Sequence, residues 1–339
     1  MIVVGGGVMG CATAYAAARQ GLSVGLVEQF RFGHNRGSSH GRARIFRLSY
    51  PDQRYIEMAL EARELWRRLE TDAGDSLLLR TGGLDAGPEA TVIAEALQKA
   101  GQEVEWLGPE EICRRWPAMA LDTPAALQPE TCVVRADHAL SAFLFQARTR
   151  GCAALEGARV HSLHETGAGV TLECDGASLH APVAVLTVGA WAPRMLASLG
   201  IDRPLTPTRQ TVAYFSYDGP PVPTLLAWGN PPLYALMSPG QGIKAGEHGG
   251  GPEVDPDEPG TCDAASVERL ASWVSENFPG AASRPHLAET CLYTNTPDED
   301  FILERRGRIV VGSPCSGHGF KFAPLIGERL TSLAREVIG

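Results

Sequence analysis

The sequence predicts an α/β fold in two domains, and three observations carry that expectation. The chain has 339 residues, against roughly 150 per domain. A β-branched run, Ile2-Val3-Val4, leads into Gly5-x-Gly7-x-x-Gly10. Beyond residue 20 the chain carries both helix-period and strand-period segments, the pattern turning strand-like from Cys152.

The elements follow in order. After the glycine turn, an Ala-rich helix is expected from Gly7 to Gln20, closed by Gly21, and Leu22 to Glu28 reads as the next strand. That is a β-α-β unit of the usual ~30 residues. Arg31 to Ser49, rich in Gly, Ser, His and Arg, reads as a functional loop. Tyr55 to Leu69 has apolar residues at helical spacing, as do Glu89 to Ala100, Gly108 to Trp116 and His138 to Arg150. Extended segments are expected at Thr81–Asp85, Arg159–His164, Gly169–Cys174 and Pro182–Val188. Thr211–Tyr217, Leu233–Met237, Leu287–Thr294 and Arg308–Val311 read the same way. Gly249 to Gly260 is a Gly/Pro/Asp loop, and helices follow at Ser266–Asn277 and Ala323–Val337.

Composition narrows the classes. Hydrophobic residues make up 44% and charged residues 20%, ordinary globular usage that excludes a disordered chain. The net charge is −9, with no long basic stripe to displace counterions, so no nucleic-acid partner is expected. The first 18 residues are uncharged, but they lack a basic leader and fall short of a bilayer span. The uncharged stretch Gly219–Ile243 is broken by six prolines. No membrane association is expected, and a cytoplasmic location is. The eight cysteines are scattered without a CxxC pair, the pattern of reduced thiols. His161-x-x-His164 has no companion ligands, so no metal is expected.

Glu28 lies 18 residues beyond Gly10, at the end of the second strand. Glycines allow the tight turn and close approach of a pyrophosphate, the helix N-terminus favours an anion, and the acid can bind ribose hydroxyls. Dinucleotide binding follows, with NAD and FAD both open at this point. In Ser38-Ser39-His40-Gly41-Arg42-Ala43-Arg44-Ile45-Phe46-Arg47, three arginines fall within six positions. They read either as a solvated face or as forks for a carboxylate or phosphate. Cys315-Ser316-Gly317-His318-Gly319-Phe320-Lys321 follows a strand, as an ordinary turn or one meeting a ligand. Cys291 alone reads as a small buried hydrophobe, and Lys244-x-x-x-His248 as two solvated loop residues.

Taken together these segments resemble the monomeric sarcosine oxidase family, which includes N-methyltryptophan oxidases and related amine-oxidising flavoproteins. The resemblance runs nearly the length of the chain. It rests on GGGVMG with Val27-Glu28, GSSHGRARIFR, Gly189-Ala190-Trp191, CLYTNTPDEDF from Cys291 and SGHGFKF from Ser316. It implies FAD rather than NAD, in a Rossmann-like domain covered by a second, mainly antiparallel-sheet domain. The expected FAD-binding domain is residues 1–78, 137–203 and 288–339, and the substrate domain 79–136 and 204–287. The implied reaction is oxidation of a secondary amino acid to an imine, with dioxygen reduced to hydrogen peroxide. The implied partners are a small amino acid and dioxygen, for a monomer.

The resemblance also implies roles. Cys291 would carry FAD through its sulfur, with Cys315 the rival by position. Arg44 would lie beside the flavin ring, and Lys244 would face its opposite side, where dioxygen is reduced. Arg47 and Lys321 would hold the substrate carboxylate, with His248 and Tyr234 on the substrate side. Further cofactor contacts are expected from Gly5, Gly7, Val8, Met9, Gly10, Glu28, Gln29, Ser38, Ser39, Val160, Gly189, Trp191, Gly317, Gly319 and Phe320. Related amines such as N-methyltryptophan, pipecolate, proline-type or glycated amino acids are the alternatives. A FAD-binding subunit without turnover has no use for Cys291, Lys244, His248, Arg47 and Lys321 together. The chain ends 18 residues after Lys321, where the family usually continues.

Overall fold

A computed structural model describes residues 1–339. The strand Ile2–Val4 pairs in parallel with Gly25–Val27 on one side and Ala184–Leu186 on the other. Ala153–Leu155 and Ile309–Ser313 extend this sheet in parallel, and Ile302–Arg306 closes one edge antiparallel, giving six strands. The helix Val8–Arg19 is buried at ten of its twelve positions. Small side chains suit it, because the helices Ala136–Thr149 and Ala323–Ile338 pack against it. Val3, Leu26, Trp66, Phe143 and Leu330 belong to the core around it. The helix Gln53–Ala73 joins this layer, started by the Asp52 side chain accepting from Arg54 N and ended by left-handed Gly74.

A second sheet has eight strands, in the spatial order Leu287–Asn295, Thr206–Phe215, Gly242–Glu247, Leu233–Ser238, Thr224–Ala227, Gly83–Ala86, Ala125–Gln128 and Glu105–Leu107. All its pairings are antiparallel except Thr224–Ala227 with Gly83–Ala86. The helix Ala264–Asn277 covers its outer face through Leu270, Ala271 and Val274. A three-stranded meander, Val160–Glu165, Val170–Cys174 and Ala177–Ala181, packs on a separate core. Another small sheet joins Ala43–Phe46, Cys132–Arg135 and Leu78–Arg80.

Some elements differ from expectation. The segment 31–49 is not loop throughout, since Ala43–Phe46 is a strand paired with Cys132–Arg135. Lys244 is no solvated loop residue: it lies inside the strand Gly242–Glu247 and is buried. The strand Leu287–Asn295 pairs along its whole length with Thr206–Phe215. By hydrogen bonding, residues 288–295 extend the eight-stranded sheet. The short strands at 105–107, 125–128 and 224–227 carry too few residues for an alternation to show. No helix is long and apolar enough to cross a membrane.

Candidate active site

Four of the five parallel strands of the six-stranded sheet end on one cavity of about 770 Å³, within the ordinary range for a small-molecule site. Gly5 follows the first strand, Glu28 the second, Thr187 the strand Ala184–Leu186, and Pro314 the strand Ile309–Ser313. Ligands of open α/β sheets bind at this carboxyl edge. The eight-stranded sheet supplies the opposite wall through Tyr234, Lys244 and Cys291.

The dinucleotide end is built by the glycine turn. Gly5 has φ +98°, and a Cβ there would lie 2.4 Å from the Thr187 carbonyl oxygen. Thr187 Oγ1 ties the turn by donating to the Val4 and Gly5 carbonyls, both at 3.0 Å. A Cβ on Gly10 would sit 1.8 Å from Gly5 O. Gly10 does not line the cavity; it lets the helix close on the turn, so its expected cofactor contact is not direct. Glu28 is buried, and its carboxylate accepts from Gly6 N at 2.6 Å and Phe30 N at 2.8 Å. Ser39 Oγ accepts from Val8 N at 3.0 Å, and Ser38 Oγ donates to Leu292 O at 2.5 Å. Gln29, Met9, Val160 and Gly189 also line this end. Trp191 packs edge-on to Phe30 and donates through Nε1 to Asp257 at 2.7 Å.

The middle of the cavity holds Arg44, whose guanidinium donates to the carbonyls of Ser38, His40 and Ala43. It lies 5.6 Å over the Phe320 ring. Lys244 Nζ donates to Ala43 O at 3.2 Å. Burial, reinforced by Arg44, pulls the Lys244 ammonium down to about 7. Cys291 is half-buried on the wall. Cys315 Sγ also lines the cavity but accepts from Thr294 N at 3.3 Å, and burial pushes its thiol up.

The far end is cationic. Arg47 is buried, and its Nη1 has no hydrogen-bond partner. The guanidinium lies 4.2 Å over the Tyr50 ring and 5.3 Å over the Trp228 ring. Lys321 Nζ donates to Tyr50 Oη at 2.9 Å and to His318 O at 2.7 Å. Burial, then Arg47, holds its ammonium well below the usual lysine range. His248 is kept neutral, down to about 4, by burial and then by Arg47 and Lys321. Its ring lies 5.8 Å from that of Tyr293. Gly317, at φ +77°, leaves room for both rings, since a Cβ there would meet Tyr293 at 2.2 Å and His248 at 2.7 Å. Tyr234 is half-buried, and burial raises its phenol.

Residues 1–333 match the family described as FAD dependent oxidoreductase. The chain belongs to that family. A peroxisomal sarcosine oxidase of Mus musculus is 34% identical over 99% of this chain and 92% of its own length. A monomeric sarcosine oxidase of Bacillus sp. (strain B-0618) is 32% identical over 98% of this chain and 91% of its own. Among solved structures, NikD, described as an unusual amino acid oxidase essential for nikkomycin biosynthesis, superposes with a TM-score of 0.90 at 27% identity. That match covers 99% of this chain and 93% of the other.

The residues present fit FAD. The glycine cradle admits a backbone-close pyrophosphate, the buried Glu28 retains lone pairs for ribose hydroxyls, and the cavity runs on past Arg44 to Lys321. Of the candidate residues, all but Gly10 line this one cavity. Arg42 points to solvent, whereas Arg44 and Arg47 turn inward, so the solvated-face reading holds for one arginine of three. No group of three or more His, Cys, Asp or Glu side chains comes together as a metal site.

Several residues at the site escaped the sequence reading. Tyr50 and Trp228 line or support it from segments with no distinctive spacing, and His40 from inside the motif GSSHGRARIFR. His318 and Tyr293 were within reach, since both sit inside the motifs SGHGFKF and CLYT.

Proposed function

We propose that the protein is a flavin-dependent oxidase of a secondary amino acid, of the sarcosine-like N-methyl class, releasing an imine and hydrogen peroxide. The observation that carries this reading is the buried Arg47 guanidinium. It has an unpartnered Nη1 beside Lys321, at the end of a cavity that begins in a dinucleotide turn. A buried cation with an unpartnered donor is costly unless a ligand completes it. A substrate carboxylate does so, with Arg47 as planar fork and Lys321 as point charge. Both named sarcosine oxidases are similar over nearly the whole chain, which supports the N-methyl amino acid.

Bound FAD supplies the acceptor for a hydride equivalent from the N-bound carbon and the reductant for dioxygen. The protein orients and polarises. Anchoring the carboxylate fixes the amine relative to His248, which is neutral and can accept an N–H hydrogen bond. Tyr234 bounds the same region of the cavity. Arg44 would place a fixed positive charge beside the bound ring. Lys244 places a second cation where charge develops on dioxygen. The division into residues 1–78, 137–203 and 288–339 for FAD and 79–136 and 204–287 for substrate belongs to this reading. So does a monomeric state, as in the name of the Bacillus relative.

The reading is tested by peroxide release from sarcosine and from dimethylamine, which keeps the N-methyl group and lacks the carboxylate. Peroxide from sarcosine alone is expected. Equal rates from both would overturn the carboxylate clamp.

Cys291 is proposed as the covalent tether. Cys291→Ser is expected to leave FAD in the supernatant after acid precipitation, while Cys315→Ser keeps it in a yellow pellet. The reverse pattern would move the tether to Cys315.

A further inference from the structure

We propose that Tyr50, set by His318, is the positioning residue that holds Arg47 and Lys321 at the spacing of one carboxylate. This rests on the carboxylate reading above. Tyr50 touches both cations: its ring lies 4.2 Å beneath the Arg47 guanidinium, and its oxygen accepts from Lys321 Nζ at 2.9 Å.

The hydrogen order is set by the far end. His318 Nε2 lies 3.0 Å from the Glu299 carbonyl oxygen, which can only accept. Nε2 therefore carries the hydrogen of the neutral ring, and Nδ1 is the acceptor. Nδ1 lies 3.1 Å from Tyr50 Oη, so the phenol donates there. The series runs Lys321 N–H to Tyr50 O, Tyr50 O–H to His318 Nδ1, and His318 Nε2–H to Glu299 O. Donation to an imidazole makes the phenol oxygen a better acceptor for the ammonium.

The series keeps this order over the working pH range. Burial holds His318 down to about 3 and pushes Tyr50 up to about 12. Phe301 stacks on the His318 ring at 4.8 Å and Tyr55 meets it edge-on at 5.2 Å, shielding it. The charged and titratable groups facing Lys321 are Arg47, Tyr50, His318 and His248. Asp85 interacts electrostatically with Arg47, and Glu299 with Tyr50. None of them is a carboxylate hydrogen-bonded to Lys321, so neutral acceptors support its ammonium against burial. Without the phenol oxygen the ammonium loses one of two acceptors, and its loss of a proton moves to lower pH.

The test is calorimetric titration of the FAD-loaded enzyme with acetate across pH, with acetamide as the uncharged control. Wild type is expected to bind acetate and not acetamide, with affinity falling as alkali removes the Lys321 proton. Tyr50→Phe keeps the ring under Arg47 and should bind acetate roughly tenfold more weakly. Its alkaline limb should move to lower pH, and the loss should fall on KM rather than kcat. His318→Gln, which retains an acceptor for the phenol, should shift the limb less in the same direction. It also decides the matter if Tyr50→Phe does not fold. An unmoved alkaline limb in the folded variants overturns the proposal while leaving the clamp standing. Wild type that does not bind acetate overturns both.

Discussion

Arg47→Ala is expected to weaken carboxylate substrates by about 2–5 kcal/mol, the range for truncating one partner of a desolvated charge pair. That is roughly thirtyfold or more in affinity. The size follows from where the guanidinium sits. It is buried between the Tyr50 and Trp228 rings, and its Nη1 has no protein acceptor. Arg47→Lys should recover little, because an ammonium cannot reproduce a planar fork held between two aromatic faces. The measurement is KM for sarcosine beside the dissociation constant for acetate. Both should rise together. Unchanged values would remove Arg47 from the substrate site.

Lys244→Met is expected to slow reoxidation of the reduced enzyme by roughly 10²–10³, the loss typical of one preorganised electrostatic group. Flavin reduction by substrate should change far less. Methionine keeps the length and apolar stem of the side chain, so the strand Gly242–Glu247 should hold its place. A pH dependence accompanies this. Burial and Arg44 pull the Lys244 ammonium down to about 7. The charge is thus fully present below that value and is lost as pH rises through it. Reoxidation in wild type should fall on the alkaline side, and Lys244→Met should lack that limb. Stopped-flow mixing of reduced enzyme with dioxygen reads both effects. Equal slowing of reduction and reoxidation would contradict an oxygen site at Lys244.

How far the sequence led depended on how local each signal was. The glycine turn, its helix and Glu28 lie within 24 residues, and their spacing encodes the cradle directly. Arg47 and Lys321 were legible as residue types in distinctive segments. Their meeting was not, because 274 positions separate them and only the fold brings both to Tyr50. Lys244 looked like loop because a charged residue among glycines breaks strand alternation. Its strand is buried on both sides, between Thr206–Phe215 and Leu233–Ser238, so no polar face shows in the sequence. Ala43–Phe46 was hidden for a related reason: its partner strand is Cys132–Arg135, about 90 residues away. Tyr50 carries no motif at all, and its importance lies in touching two cations from different segments.

The central claim is that a flavin in this cavity takes electrons from a carboxylate-bearing secondary amine and passes them to dioxygen. Anaerobic mixing of the FAD-loaded protein with sarcosine and with cyclic secondary amino acids tests it most directly. The expected result is bleaching of the flavin absorbance by at least one of them, then recovery on admitting air with one peroxide formed per flavin. A flavin that stays fully coloured with every carboxylate-bearing secondary amine, or bleaches equally with dimethylamine, would contradict the account.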